Sequence, residues 1–324
     1  MRLAQNTRIL VIPGPGVGDC IALLSVLHVL KQYRDDVILD VLAQPRTPIE
    51  LFYNNPDIRY LHNNFKKKYL NGLAKNYDIA ITFPLTELNF FYIKYLGLRT
   101  FIPEYGDCSH AQSAFNLIKF LFPECANILI NKYYLFLQPE HFAQANQILL
   151  KAKIKLSDKE ILIGCHIGYS SVAYKEKSFL RRWMGKFGSR AWPLKNYILL
   201  LEKLISYNQN IRFVLTGSAA ETKIIKRLFK KYHRFTYNIS GKTSVLNLAC
   251  IMSYFKCFVS GDTGPMHIAA AMNIPLVTLF SEKTLNMGKI TFAKQTSISS
   301  EKITDIAVDS VFSAVVNCIK NNCS

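Results

Sequence analysis

Acidic residues are scarce in this chain: 22 Asp and Glu stand against 40 Lys and Arg in 324 residues. No Asp-x-Asp occurs, which removes a familiar carboxylate arrangement for holding a divalent ion on a diphosphate. Cysteine appears eight times but never as Cys-x-x-Cys, and several of the eight lie inside apolar runs. Such cysteines read as small buried hydrophobes or stray thiols, not as a disulfide framework or a zinc site. The seven histidines are scattered, without a His-x-x-x-His pair. No metal site is expected. Long apolar runs are missing too. Ile198–Ile205 is interrupted by charge, and no stretch reaches the ~18 residues of a spanning helix. Met1–Leu10 lacks the apolar core and cleavage site of a secretory signal. A cytoplasmic location is the expectation.

What is abundant is positive charge and apolar content. The net charge is +18 and half the residues (50%) are hydrophobic. A chain of this length suits two domains with sizeable cores. A strongly basic field attracts polyanions: nucleic acid, an anionic membrane face or an acidic glycolipid. The plainer reading is Lys used as solvated surface filler. Basic residues cluster at Lys66-Lys67-Lys68, Arg181-Arg182 and Lys226 to Lys231. No RNA-binding signature or zinc finger accompanies them, so no nucleic-acid partner is expected. A membrane-bound anionic partner fits better, reached by a peripheral contact of a single chain.

Strand and helix patterns alternate. Strands are predicted at 8–13, 37–42 and 78–83, with helices at 20–33, 48–54, 88–98, 113–122 and 139–152. Polar Lys153–Lys159 is the candidate linker, dividing the chain into domains 1–155 and 156–324. A second series follows: strands 161–166, 211–216 and 257–260, and helices 194–207, 220–232, 244–253 and 303–320. Such alternation predicts parallel sheets in an α/β, doubly wound architecture. Two such halves would face a cleft, with loops Gly14–Asp19, Gly168–Ser171, Gly217–Glu221 and Asp262–His267 at the carboxyl ends of strands, where ligands bind.

Residues 262–280 are the most informative stretch. Asp262-Thr263-Gly264 reads as a turn, Pro265 as the first helical residue, and Ala269-Ala270-Ala271 as a close-packing face. A helix N-terminus at a strand end is a ready site for a diphosphate. An ordinary βαβ crossover has a similar pattern but lacks the Asp-Thr-Gly-Pro-Met-His string.

That string resembles the C-terminal signature of the bacterial lipopolysaccharide heptosyltransferases, glycosyltransferases of the GT-B fold. Arg8–Asp19, with its Gly14-Pro15-Gly16-Val17-Gly18 loop, resembles that family's opening strand and Gly-Asp loop. Asp40–Arg46, Asn55-Pro56-Asp57, His166–Ser170 and Gly241-Lys242-Thr243-Ser244 are similar as well. The blocks keep family order from about residue 8 to residue 317. The match is weak over 85–135, and 172–189 reads as an insertion, either a lid or a solvated loop.

The resemblance implies a metal-independent inverting transfer of heptose from ADP-heptose to a lipopolysaccharide core acceptor, with no cofactor beyond the nucleotide sugar. It makes Asp19 the general base, a role that a carboxylate can fill for an attacking hydroxyl. Gly16 and Gly18 would let the acceptor approach the backbone. The family's Lys-x-Trp-Pro appears here as Arg190-Ala191-Trp192-Pro193, which puts Arg190 at the leaving diphosphate. Arg keeps the charge but changes the reach. Ser170, Ser171, Glu221, Thr243, Ser244, Asp262, Thr263, Gly264 and His267 are implied in donor binding. Glu221 would accept the ribose hydroxyls, Thr243 and Ser244 would touch the base, and Asp262 would accept hydroxyls of the sugar.

Each residue also has a structural reading. Asp19 suits a helix N-cap, Glu221 an exposed first-turn acid, Ser244 a cap, Trp192 a helix staple, and His267 a core histidine. Three other functions stay open: transfer from another nucleotide sugar, a noncatalytic sugar-nucleotide-binding protein, and an NAD-dependent dehydrogenase. The last would use Asp40 as its ribose acid, although the glycines run Gly-x-Gly-x-Gly and not Gly-x-Gly-x-x-Gly.

Overall fold

The computed structural model describes residues 3–83, 87–104, 109–156, 159–168 and 192–321. They fall into two compact units, Met1–Phe136 and Leu137–Ser324.

The first unit runs β1 (Arg8–Pro13), α1 (Val17–Tyr33), β2 (Ile38–Leu42), β3 (Tyr60–His62), α2 (Lys67–Leu73), β4 (Ile79–Phe83), α3 (Glu87–Leu96), β5 (Thr100–Phe101) and α4 (His110–Leu121). Its sheet has the order β3-β2-β1-β4-β5, and each pairing is parallel. The central strand, Arg-Ile-Leu-Val-Ile-Pro, is buried from Ile9 onward. Such continuous apolar runs mark parallel strands covered on both faces. Helix α1 is buried over most of its length and packs on α4.

The second unit opens with α5 (Pro139–Lys151). It continues through β6 (Ile161–His166), α6 (Leu194–Tyr207), β7 (Ile211–Thr216), α7 (Thr222–Lys231), β8 (Thr236–Asn238) and α8 (Val245–Met252). Then come β9 (Cys257–Gly261), α9 (Gly264–Ala271), β10 (Leu276–Ser281), α10 (Glu282–Gly288), β11 (Gln295–Ser300) and α11 (Val308–Asn321). The sheet order is β11-β10-β9-β6-β7-β8, again parallel. Leu200, Leu204, Phe213, Val259, Leu279 and Val315 form the centre of its core.

In both units the first strand lies in the middle and the winding reverses beside it, between β1 and β4 and between β6 and β9. That reversal opens a crevice at the carboxyl ends of the strands. The compact units part at Phe136 and Leu137, not at the polar stretch 153–159. The reason is α5. Its Ala145 and Leu149 are buried, it packs on α8, and Asn247 Nδ2 donates to Gln144 Oε1 at 3.0 Å. Among the described residues no helix is long and apolar enough to cross a membrane.

Candidate active site

The first unit builds its site at the β1/β4 reversal. The Gly14 N–H donates to Phe83 O at 2.7 Å, tying the end of β1 to β4. Gln44 Nε2 donates to Pro13 O at 2.6 Å and Thr47 Oγ1 to Gly14 O at 3.4 Å, bracing the loop from the β2 side. Helix α1 begins at Val17 with Gly16 as its N-cap residue. Asp19 is therefore not the cap but lies in the first turn, half-buried. Its carboxylate folds back over Gly16: a Cβ there would stand 2.3 Å from Oδ2. A side chain at this position would have to displace that carboxylate. Beneath lies Tyr133, a buried phenol whose pKa is raised by burial first and by the Asp19 charge second. Arg46, exposed on the neighbouring loop, adopts a left-handed φ of 76°, a conformation that strains a non-glycine residue. A reachable carboxylate over a glycine floor can take a proton from an incoming hydroxyl.

Asp40 cannot serve as a ribose acid. It is 1% exposed, accepts Arg59 Nε at 3.1 Å and accepts the Tyr77 hydroxyl at 2.6 Å. Tyr77 in turn meets His62 Nε2 at 2.7 Å. The dehydrogenase reading loses its acidic residue to this buried network.

The second unit carries its loops at the carboxyl ends of β6, β7, β8 and β9. Glu221 is not an exposed first-turn acid; it is 4% exposed. It ends a short 3-10 turn, Ala219–Glu221, closed as a capping box with Ser218. Its Oε2 accepts the Ser218 N–H at 2.6 Å. A Cβ at Gly168 would fall 1.6 Å from Oε1, so only glycine fits against this carboxylate. The Gly241 N–H donates to Gly217 O at 2.8 Å, joining the loop that carries Thr243 and Ser244 to the loop that carries Glu221. Ser244 is the N-cap of α8, accepting Asn247 N–H at 3.1 Å, and Thr243 beside it is half-buried.

At the end of β9, Thr263 is the N-cap of α9. Its hydroxyl meets Ser260 Oγ at 2.9 Å. Gly264 takes the first helical position, and Pro265 the second, not the first as the sequence predicts. Asp262 turns toward α10: a Cβ at Gly288 would stand 3.2 Å from its Oδ1. His267 is half-buried one turn into α9. Ser170, Ser171 and Arg190 lie outside the described residues, as do Arg181-Arg182 and the 172–189 stretch.

Within the second unit, a buried glycine-framed carboxylate and, at another strand end of the same sheet, a helix N-terminus suit binding of a nucleotide-linked substrate. Residues 183–306 match the family described as glycosyltransferase family 9 (heptosyltransferase). The chain carries a glycosyltransferase family 9 domain. Over 305 residues it is 27% identical to lipooligosaccharide heptosyltransferase 2 of Haemophilus influenzae, covering 84% of this chain and 82% of that protein. In fold it resembles the glycosyl transferase family 9 protein of Veillonella parvula, with a TM-score of 0.79, 15% identity and 97% coverage of each chain. It also resembles the E. coli ADP-heptose lps heptosyltransferase II, with a TM-score of 0.76, 18% identity, and 98% of this chain and 100% of that one covered. The protein is thus a glycosyltransferase with two GT-B-type parallel-sheet units.

Within the family 9 domain, Trp192 is a core residue. Its Nε1–H donates to Ile306 O at 3.0 Å, and its ring meets Tyr197 edge-on at 4.8 Å. One polar residue beside Glu221 was read from the sequence only as part of the His166–Ser170 block and not as a site residue. His166, at the carboxyl end of β6, is 6% exposed and lies 4.0 Å from Glu221 Oε1. Its burial lowers the ring pKa more than the Glu221 charge raises it. The one sequence signal was its place at a strand end before a glycine loop.

Proposed function

We propose that this glycosyltransferase moves heptose from ADP-heptose onto an anionic lipopolysaccharide core acceptor, by a single inverting displacement without a metal ion. The observation that carries this reading is the family 9 domain coinciding with the buried, glycine-framed Glu221 and the helix start at Gly264. In this reading the first unit serves the acceptor and the second the donor.

The acceptor hydroxyl oxygen bonds to the anomeric carbon as Asp19 takes its proton. The bond from that carbon to the diphosphate oxygen breaks on the opposite face, and its electron pair leaves with ADP. Arg190 and the N–H groups opening α9 offset the charge on the departing diphosphate, with Ser170, Ser171, Thr263 and His267 beside it. Glu221 accepts ribose hydroxyls, Thr243 and Ser244 touch the base, and Asp262 accepts hydroxyls of the sugar.

The acceptor's charge gives the basic surface a role. Lys66, Lys67 and Lys68 are exposed at the start of α2, which has no acid in its first turn. Cations are disfavoured at a helix N-terminus; Lys67 is offset by its contact with the Tyr95 ring at 5.0 Å, while the helix start itself gives Lys66 and Lys68 no such support. A peripheral contact with the cytoplasmic face of the inner membrane does.

Transfer from ADP-heptose to a heptose-deficient core glycolipid, followed by mass spectrometry, tests the reaction. Product should form equally with and without EDTA. A parallel thermal-shift series with ADP, UDP, GDP, dTDP and NAD tests the donor. ADP at about 100 times its Kd should add roughly 2.7 kcal/mol of stability. No heptosyl product, or stabilisation by NAD alone, overturns the proposal.

A further inference from the structure

The two oxygens of Glu221 are treated differently. Oε2 is bonded to the Ser218 N–H at 2.6 Å. Oε1 is buried and has no hydrogen-bond partner among the described residues. Leaving a buried carboxylate oxygen unpaired is costly, so an unpaired oxygen at a ligand-binding strand end points to a donor that arrives with the ligand.

His166 Nε2 stands 4.0 Å from that oxygen. This is too long for a hydrogen bond but close enough for the ring to orient the carboxylate electrostatically. The ring itself is held in place. Its Nδ1 lies 3.1 Å from Thr216 Oγ1, while the same hydroxyl lies 3.4 Å from Cys165 O. The Thr216 hydroxyl donates to Cys165 O and its oxygen meets Nδ1, so the ring is fixed between β6 and β7 with its Nε2 edge toward Glu221. Burial lowers the ring's pKa, with the Glu221 charge opposing. At the ring, Thr216 is a neutral neighbour and Glu221 supplies the charge, while the Tyr197 hydroxyl donates to the His166 backbone carbonyl at 3.4 Å.

We propose that His166, held by Thr216 with its Nε2 edge toward Glu221, is a positioning residue that aims Oε1 at the ribose hydroxyls of the donor. The inference rests on the donor-site reading of Glu221 given above. It makes His166 a determinant of selectivity for a nucleotide that carries ribose hydroxyls, while Oε1 itself makes the contact.

The test is calorimetric binding of ADP and of 2′,3′-dideoxy-ADP to the full-length protein and its variants. A hydrogen bond to a charged group gives about a tenfold or greater preference for ADP in the wild type. His166→Leu and Thr216→Val should bring that ratio close to one. His166→Gln, which keeps an N–H donor, should restore part of it. A change in folding stability alone leaves the ratio intact, so the ratio reads positioning and not packing. Thr216→Val carries the test if His166→Leu does not fold. Glu221→Ala separates the two levels. If it loses the ratio while the His166 and Thr216 variants keep it, the positioning role is wrong and the donor-site reading stands. If Glu221→Ala keeps the ratio, the donor-site reading has failed, and this inference with it.

Discussion

Each unit sets a carboxylate against a glycine at a strand end, Asp19 after the central strand β1 and Glu221 after β7 beside the central strand β6, yet they treat it in opposite ways. Asp19 lies over Gly16 in the first turn of a helix, half-buried. Glu221 lies against Gly168, 4% exposed, with one oxygen tied to Ser218 N–H and the other facing His166. An accessible carboxylate can receive a proton and release it to solvent. A buried, oriented one is suited to holding hydroxyls in place. Under the proposed function this difference divides the labour: chemistry on the first unit, recognition on the second.

The sharpest way to break this comparison is Asp19→Asn. Loss of a general base lowers turnover by about 10²–10⁴, and ADP affinity should stay within about twofold. Single-turnover rates and calorimetry measure the two separately. Wild-type turnover in the variant would reduce Asp19 to a first-turn helix acid.

Next in size come the two floor glycines. A Cβ at Gly16 meets a short side chain end at 2.3 Å, and half-buried Asp19 can swing away. Gly16→Ala should therefore cost turnover and little stability. At Gly168 the added Cβ meets Oε1 at 1.6 Å and Cδ at 2.2 Å, and buried Glu221 has no open path. Gly168→Ala should weaken ADP binding by about 1.5–3 kcal/mol, the range of hydrogen bonds to a charged group, and lower the melting temperature as well. Equal effects of the two alanines on turnover and on ADP binding would erase the division between the units.

The contrast between the units also shows how far sequence reasoning reached. The central strands were legible because buried parallel strands are continuous apolar runs, as at Ile9–Ile12 and Cys257–Val259. The edge strands were not. Tyr60–His62, Thr100–Phe101, Thr236–Asn238 and Gln295–Ser300 are short or half-exposed and carry no apolar run. The site loops were visible as glycine and acid patterns at strand ends. Their burial was not, because it depends on distant partners. Gly168 decides how Glu221 sits, and Arg59 with Tyr77 decides what Asp40 can do. Likewise α5 resembles a continuation of the first half until its contact with α8 is seen.

A smaller effect is expected at the basic start of α2. Each Lys near an anionic surface is worth on the order of 1 kcal/mol. Single changes at Lys66, Lys67 or Lys68 to Gln should weaken binding to anionic vesicles about fivefold. The loss should shrink as salt shortens the screening length, about 8 Å at physiological strength. Co-sedimentation with neutral and anionic vesicles reads it. Salt-insensitive binding to both, or to neither, means that the lysines are solvated filler and the first unit has no membrane role.

The smallest effect on chemistry belongs to Trp192, which separates scaffold from site within the second unit. Its indole N–H satisfies Ile306 O at 3.0 Å and its ring packs on Tyr197. Trp192→Phe keeps an aromatic ring but leaves that carbonyl without its donor. An unsatisfied buried acceptor costs about 1–3 kcal/mol, so urea unfolding should shift by that amount. ADP affinity and turnover should stay at wild-type levels, because Glu221 is held by Ser218, Gly168 and His166 and not by the indole. A loss of ADP binding out of proportion to the loss of stability would place Trp192 in the donor site, and the second unit's recognition would then extend beyond the glycine-framed carboxylate.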